Sequence, residues 1–394
     1  MKCKICNSTK LIEVLDLGKQ PLANKYPKNR KEIKEEKKFQ LKIVFCTKCK
    51  LGKIGRIVSR DLMFKNYFYL SSVNNALVKH FESLAKKLKN KNFVIDIGSN
   101  DGILLKPLKK KRVRCLGIDP SINVGRIANK RGYETLINFF DHNTVNKVIK
   151  KYGKPDTIVA SSVVTHLKDP LSFAKNIRKL ISTNGELIIE IEYFANFIKN
   201  LEYERFYFDR PFYFSLKSID ILFSSVGMSF YKIEKINIHG GSVRCYIRNN
   251  KYQKKTEKLV NFLNNEKTYL NLHELKKFNL KIRKESDKLF NTLKSFKLSN
   301  KRVIGYGAPA RVSTITNYTN IDNTLIDYII DDSHLKQNRF SPGKHIKIIP
   351  RNKANLKIVD IVIVFAYEYF RDIRKKFANI KVKFYKPIPF DNLK

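Results

Sequence analysis

The residues of this chain best placed to do chemistry begin at Asp96. In the stretch VIDIGSNDGILL (residues 94–105) an apolar run carrying Asp96 enters a turn of Gly98, Ser99, Asn100, Asp101 and Gly102, and a helical pattern follows. Strand, glycine turn and helix in that order bring backbone amides close to a ligand at the carboxyl end of a strand. The next apolar run, Cys115 to Ile118, ends in Asp119, about 20 residues downstream, where such folds keep an acid that accepts from both ribose hydroxyls. A dinucleotide site would prefer the spaced glycines of G-x-G-x-x-G and a pyrophosphate on the amides, which Asp96 and Asp101 would repel. S-adenosylmethionine (SAM) carries no phosphate, and its sulfonium and amino groups favour nearby carboxylates. The turn is therefore read as a SAM site built on Asp96, Gly98, Asn100, Gly102 and Asp119, in preference to a dinucleotide site or a purely structural turn.

A second chemistry lies at the N-terminus. Cys3-x-x-Cys6 and Cys46-x-x-Cys49 share the two-residue gap of a metal knuckle, and each pair can set two thiolates on one side of a tetrahedral ion. Four cysteines complete a closed Zn²⁺ site with no open position, so its role is structural. The alternative is two unrelated reduced pairs; the remaining cysteines, Cys115 and Cys245, fall in apolar strand patterns.

Further groups cluster where the first sheet should open. The run Ala160 to Leu167 brings Ser161, Ser162 and His166 to the carboxyl edge of a fourth strand, with His166 either functional or capping the next helix. Residues 203–213 (YERFYFDRPFY) mix aromatic and ionisable side chains too freely for a plain core strand. Next come His239 and Arg244 in IHGGSVR (residues 238–244), and then a second strand and turn, Gly305-Tyr306-Gly307, with Arg311 one helical turn on. No acid precedes these glycines, so an anion, a phosphate or nucleotide diphosphate, is expected there, against simple turn chemistry.

The elements that must position these groups are an alternation. Strands are expected near 93–97, 114–119, 135–137, 157–161 and 185–191, with helices over 104–109, 124–131, 144–152 and 171–180 between them. Such alternation gives a parallel sheet with helices on both faces. A mostly helical segment, with Tyr69 near its start, precedes this core; a lysine-rich helical connector spans 254–297; a smaller α/β unit closes the chain. The expected organisation is a zinc-binding domain (1–60), a SAM-binding core with substrate loop (61–250), a helical connector (251–299) and a C-terminal Rossmann-like domain (300–394).

Composition bounds the partners. The 394 residues carry a net charge of +44, but the basic residues are scattered through every segment and form no arm, so no nucleic-acid partner is expected and a phosphorylated small substrate remains compatible. No run of eighteen apolar residues and no apolar signal region appear; the expectation is a cytoplasmic protein without membrane insertion.

Taken in order, the four cysteines, LDLGKQPLAN (residues 15–24), VIDIGSNDG, IHGGSVR, GYGAPAR (residues 305–311) and PGKHI (residues 342–346) resemble the sugar C-methyltransferases of deoxysugar pathways over nearly the whole chain. The resemblance implies an α/β protein in three parts: a zinc domain, a SAM-binding Rossmann-like methyltransferase core, and a C-terminal Rossmann-like domain that helps hold the nucleotide of an NDP-sugar. It implies that Gly98, Asp119 and the edge Ser161–Val163 serve SAM, that Tyr207, Asp209, His166 and His239 face the substrate as catalytic candidates, and that Tyr69, Arg210, Tyr213, Arg244, Gly305, Tyr306, Gly307 and Arg311 bind it. In that family a ketosugar loses the proton beside its carbonyl and the enolate attacks the SAM methyl. The family's Tyr-His-Glu-His phrase is here Tyr207-Phe208-Asp209-Arg210, followed by Tyr213-Phe214-Ser215-Leu216. Arg210 stands where the family's favoured base stands, and a guanidinium cannot take a proton at physiological pH. Three readings remain: another base among Tyr207, His166, His239 and Asp209; an anion on Arg210 with methyl going to oxygen or nitrogen; or a SAM- and sugar-nucleotide-binding homologue without transfer.

Overall fold

The computed structural model describes residues 2–55, 58, 70–238, 241–378 and 380–393; Tyr69 and His239 lie outside the described residues. Five strands of the central sheet are parallel, and their mostly apolar, buried residues need helices above and below. Phe93–Ile97, for example, is buried at every position. The order across the sheet is Ser229–Ile236, Ser242–Arg248, Glu186–Glu192, Thr157–Ser161, Phe93–Ile97, Arg114–Ile118, Thr135–Leu136, with the first two antiparallel to their neighbours. The order reverses between Phe93–Ile97 and Thr157–Ser161, and a crevice opens at the carboxyl ends of those two strands.

Helix starts follow their capping residues. Asp141 accepts from Thr144 N, and Asp169 accepts from Leu171 N and Ser172 N with Pro170 in the first helical position, the arrangement that satisfies amides an isolated helix leaves open. Asp169 therefore does the capping that His166 was an alternative for. The connector differs from expectation: it is two helices, Glu257–Tyr269 and Leu272–Leu298, restarted by Asn271, whose side chain accepts from Glu274 N. It is also docked onto the core. Buried Glu266 accepts from Leu216 N at 2.6 Å and Lys217 N at 3.0 Å, the first amides of the helix Leu216–Ser224, where a carboxylate complements the helix dipole.

The N-terminal module is a four-stranded antiparallel sheet, Leu11–Pro21, Lys38–Cys46, Gly52–Ile54 and Phe212–Tyr213. Its last strand comes from the aromatic loop of the core. The aromatic stretch is thus packing and site at once: Phe206 meets Tyr213 edge to face with centroids 4.7 Å apart, and Phe197 at 5.9 Å. Gly52 is needed for this seam, since a Cβ there would lie 2.8 Å from the Phe194 ring. The third sheet orders Ile348–Ile349, Ile329–Ile330, Val303–Tyr306, Ile361–Val364, Lys383–Lys386 and Asp391–Leu393, parallel except for the last. It is a second doubly wound unit whose switch point lies beside Val303–Tyr306. Among the described residues no helix is long and apolar enough to cross a membrane.

The four thiols converge as the spacing predicts. Cys3 Sγ and Cys49 Sγ are 3.5 Å apart, as are Cys6 Sγ and Cys46 Sγ, and all four lie within 4.8 Å of one another. A zinc–sulfur bond of about 2.3 Å places tetrahedral sulfurs roughly 3.8 Å apart, so the set fits Zn²⁺. Purified protein is expected to hold one zinc per chain by elemental analysis. Replacing Cys46 and Cys49 by Ser should remove it and lower the melting temperature, because metal affinity is part of the folding free energy of such a module.

Candidate active site

The crevice at the first switch point has a volume of about 250 Å³ and is walled by Asp96, Gly98, Asn100, Asp119, Ser161, Ser162, His166 and Arg210, with Phe139 and Phe140 also in its lining. Asp119 is fixed by two amides, Asn100 N to Oδ2 at 2.9 Å and Ser121 N to Oδ1 at 2.8 Å. The Ser121 side chain bonds the same carboxylate, and the lone-pair direction left over can take a hydroxyl donor, as a ribose acceptor requires. Gly98 has φ +74°, and a Cβ there would sit 2.4 Å from Val163 Cγ2. Gly102, also at positive φ, packs under Tyr133 and shapes the turn without walling the crevice. Asp101 is turned aside, accepting from the Ser72 hydroxyl and pairing with Arg131 at 3.0 Å.

Burial, then the neighbouring carboxylates Asp119 and Glu190, push the Asp96 carboxyl well above its ordinary range, and burial also raises Asp119. Such an excess of acid at one end of a cleft is relieved by a sulfonium and an ammonium group, so the residues fit SAM. Beneath the crevice, Glu190 accepts from the Ser161 hydroxyl at 2.5 Å and contacts His80 Nε2 at 2.9 Å and Arg244 at 2.7 Å. Burial would raise Glu190, but His80 and Arg244 outweigh it and hold the carboxyl below its usual range. Arg244, tied also to Glu234 at 3.2 Å and itself buried, is engaged behind the cofactor turn and does not wall the crevice.

The loop 207–213 closes the acceptor end. His166 Nδ1 lies 2.5 Å from the Asp209 carbonyl oxygen. A carbonyl only accepts, so Nδ1 carries the proton and the lone pair sits on Nε2. Arg210 contacts Glu192 Oε1 at 2.5 Å through Nη2 and stacks over the Tyr207 ring at 5.0 Å; its buried Nε has no hydrogen-bond partner. Tyr207, one of the candidate bases, has the Arg210 charge beside it to lower its phenol. Burial is the larger effect and the phenol is pushed up to about 12. Asp209 is buried and raised by that burial, and its Oδ2 accepts from Asn24 Nδ2 at 2.6 Å. Tyr213 is buried, donating its hydroxyl to the Tyr207 carbonyl at 3.3 Å and accepting from Tyr207 N at 3.1 Å, so it shapes the loop.

The second turn repeats the first. Gly98 N donates to Ile118 O and Gly307 N to Ile330 O, both at 2.7 Å. Asp331 takes the place of Asp119, Oδ2 accepting from Ala308 N at 2.5 Å and Oδ1 from Ser333 N at 2.8 Å. The expected anion therefore meets a carboxylate already seated on the turn. Arg311 is likewise engaged by Glu368 at 2.6 Å, and the buried Tyr306 hydroxyl donates to Asp332 at 3.1 Å. Gly305 is buried against Ile329 and Phe365. Hydroxyls match this turn better than phosphate.

Sequence reasoning missed Glu190, Glu192, Asn24 and Asp331. Three glutamates on one face of the otherwise apolar ELIIEIE strand were a signal for the first two, and the acid closing Ile329-Ile330 for the last. Asn24 closes the LDLGKQPLAN phrase, but nothing in that phrase pointed to a contact with Asp209.

A parallel sheet with its switch-point crevice, an acid-fixed turn and a ribose-type carboxylate define a SAM-dependent methyltransferase. Family models match in the same order as the sheets: a zinc-binding domain over residues 3–64, a methyltransferase domain over 69–232 and a C-methyltransferase C-terminal domain over 237–389. The chain is 24% identical to the C-methyltransferase NovU of Streptomyces niveus over 400 residues, spanning 98% of this chain and 95% of that protein. The ubiquinone biosynthesis O-methyltransferase of Azorhizobium caulinodans is 25% identical over 142 residues, 34% of this chain and 56% of that protein. The chain is a SAM-dependent methyltransferase with the three-part organisation of the C-methyltransferases.

Asp119→Ala should weaken SAM binding about 10- to 100-fold by calorimetry, since hydrogen bonds to a charged acceptor are worth roughly 1.5–3 kcal/mol. SAM binding uses the ionised carboxylate. In the wild type, affinity should be complete above the raised Asp119 pKa and fall as pH drops through it, and Asp119→Ala should flatten that acid limb.

Proposed function

We propose that this enzyme methylates a carbon next to the ketone of a nucleotide-linked ketosugar, with His166 as general base. The observation that carries the reading is the His166–Asp209 hydrogen bond. It holds the imidazole in the tautomer whose Nε2 can accept a proton, at the wall of the crevice. Bound SAM supplies the electrophilic methyl group. His166 Nε2 takes the proton from the carbon beside the ketone, and the Asp209 carbonyl, still bonded to Nδ1–H, steadies the imidazolium that forms. Arg210 walls the same crevice, and its guanidinium is a donor suited to the ketone oxygen as it becomes an enolate oxygen. Glu192 Oε1 contacts Nη2 of that guanidinium and anchors it from the central sheet. Arg210 is thus a replacement of role: the loop that offers a base in the resembling family offers an oxyanion donor here, and proton abstraction falls to His166.

The nucleotide part of the reading is supported by the second turn. Asp331 stands as Asp119 does, with lone pairs left over for ribose hydroxyls. The Tyr26 hydroxyl donates to Ala308 O on the second turn, and Asn24, two residues before it, donates to Asp209 in the loop at the crevice, so one segment of chain runs from that loop to the second turn.

The test is turnover of SAM with NDP-4-keto sugars and their reduced counterparts, the ketosugars deuterated beside the carbonyl. Methyl should appear on carbon with loss of that deuterium, and only from ketosugars. His166→Asn should keep SAM affinity and lower kcat by at least about 100-fold, the usual range of a general base. Methyl on oxygen or nitrogen, or a His166→Asn enzyme as fast as wild type, would overturn the reading.

A further inference from the structure

Residues 22–27, between the first and second strands of the zinc module, leave that module and touch both other domains. Asn24 Nδ2 donates to Asp209 Oδ2 at 2.6 Å, and two residues later the Tyr26 hydroxyl donates to Ala308 O at 2.7 Å, on the second glycine turn. The C-terminal domain grips the segment in return. Arg339 Nη1 donates to Tyr26 O at 3.1 Å and Phe340 N to Pro27 O at 2.9 Å, while Glu36 accepts from Gly343 N at 3.0 Å and contacts His345 Nε2 at 3.0 Å. Gly343 is held in a conformation of φ +85°, and a Cβ there would meet Asn317 at 2.1 Å, so only glycine fits at this seat.

Asn24 itself is exposed, whereas Asp209 is 5% exposed. An exposed loop side chain has no packing reason to point its amide at a buried carboxylate. What the contact does is fix Asp209, whose backbone oxygen in turn fixes the His166 ring. We propose that Asn24 is a positioning residue supplied by the zinc module: anchored to the C-terminal domain through Tyr26, it holds Asp209 and thereby keeps His166 in its Nδ1–H tautomer. The proposal deepens the reading of His166 as base, but its central claim concerns the ring of His166 and needs no acceptor substrate.

The full-length protein is prepared with ¹⁵N-labelled histidine, as wild type, Asn24→Ala, Asn24→Asp and Tyr26→Phe, and His166 is assigned among the seven histidines by its loss in His166→Asn. The charged or titratable groups described around the Asp209 carboxylate are Arg210, Tyr207 and Tyr26. All three are present in the Asn24 variants, so a change in pH behaviour there belongs to position 24. Wild type should show Nδ1 protonated and Nε2 unprotonated. Asn24→Ala should give both tautomers in exchange. Asn24→Asp keeps the shape but exchanges a donor for a second carboxylate. Two carboxylates share a proton at low pH and repel once both ionise, so the wild-type signature should be present below that step and lost above it. Tyr26→Phe should show the Asn24→Ala pattern in weaker form, and SAM affinity by calorimetry should stay within about twofold throughout. An unchanged His166 signature in both Asn24 variants would overturn the proposal. So would a loss of SAM affinity in step with the signature, which would mark a merely structural role. Failure of ketosugar methylation with these shifts intact would refute the function and leave Asn24 as the positioning residue.

Discussion

Asp209 is the point on which the three parts of this protein converge. Its carboxylate is held by Asn24 from the zinc module, its carbonyl holds His166 at the edge of the SAM crevice, and its neighbour Arg210 is tied to Glu192 on the central sheet. The loop is short, and its flanks are locked: Phe206 O accepts from Thr314 of the C-terminal domain at 3.1 Å, and Phe212–Tyr213 is a strand of the N-terminal sheet. A loop with one end bonded to a helix of the C-terminal domain and the other paired into the N-terminal sheet can hold a side chain in one place only if those two domains are fixed relative to each other. The geometry of the site therefore depends on the packing between domains.

Ions as well as rings make that packing. Arg205 is buried and bonded to Glu192 at 3.3 Å, Glu202 at 3.0 Å and Glu368 at 2.8 Å; Glu368 also takes Arg311, and Tyr367 donates to Glu204 at 2.6 Å. Desolvating so many charges is costly, and such a cluster is tolerated only when its members satisfy one another. Burial, with Arg205 opposing it, pushes Glu202 up to about 7. The cluster joins the carboxyl end of the central sheet to the start of a C-terminal helix, so it specifies how the two Rossmann-like units face each other more than it adds stability.

The parts of this arrangement that are local in the chain were legible in the sequence. The alternation of strands and helices, the turn at Gly98, Asp119 and the four cysteines each announce themselves through spacing of a few residues, because one strand-turn-helix or one knuckle suffices to produce the pattern. The roles of Arg210, Tyr207 and Arg311 were not legible. Whether an arginine binds a ligand or a glutamate depends on Glu192 and Glu368, which the chain brings near only by folding, and whether a tyrosine is acidic depends on how deeply it is buried. The second turn misled for the same reason: it lacks an acid before its glycines, and the carboxylate that takes its amide arrives with Asp331 from the neighbouring strand. Phe212–Tyr213 is too short to show a strand period at all; its partner, the N-terminal sheet, makes it one.

The central claim is that His166 has taken over proton abstraction in a site where Arg210 cannot perform it. The measurement that tests this most directly separates proton removal from methyl transfer. Enzyme saturated with S-adenosylhomocysteine, which has no methyl group to give, is incubated in D₂O with an NDP-4-keto sugar, and the carbon beside the ketone is followed by mass and NMR. The account predicts that wild type washes deuterium into that position, that His166→Asn does not, and that Arg210→Lys does so more slowly. Washout undiminished by His166→Asn would contradict it and move the base elsewhere in the loop.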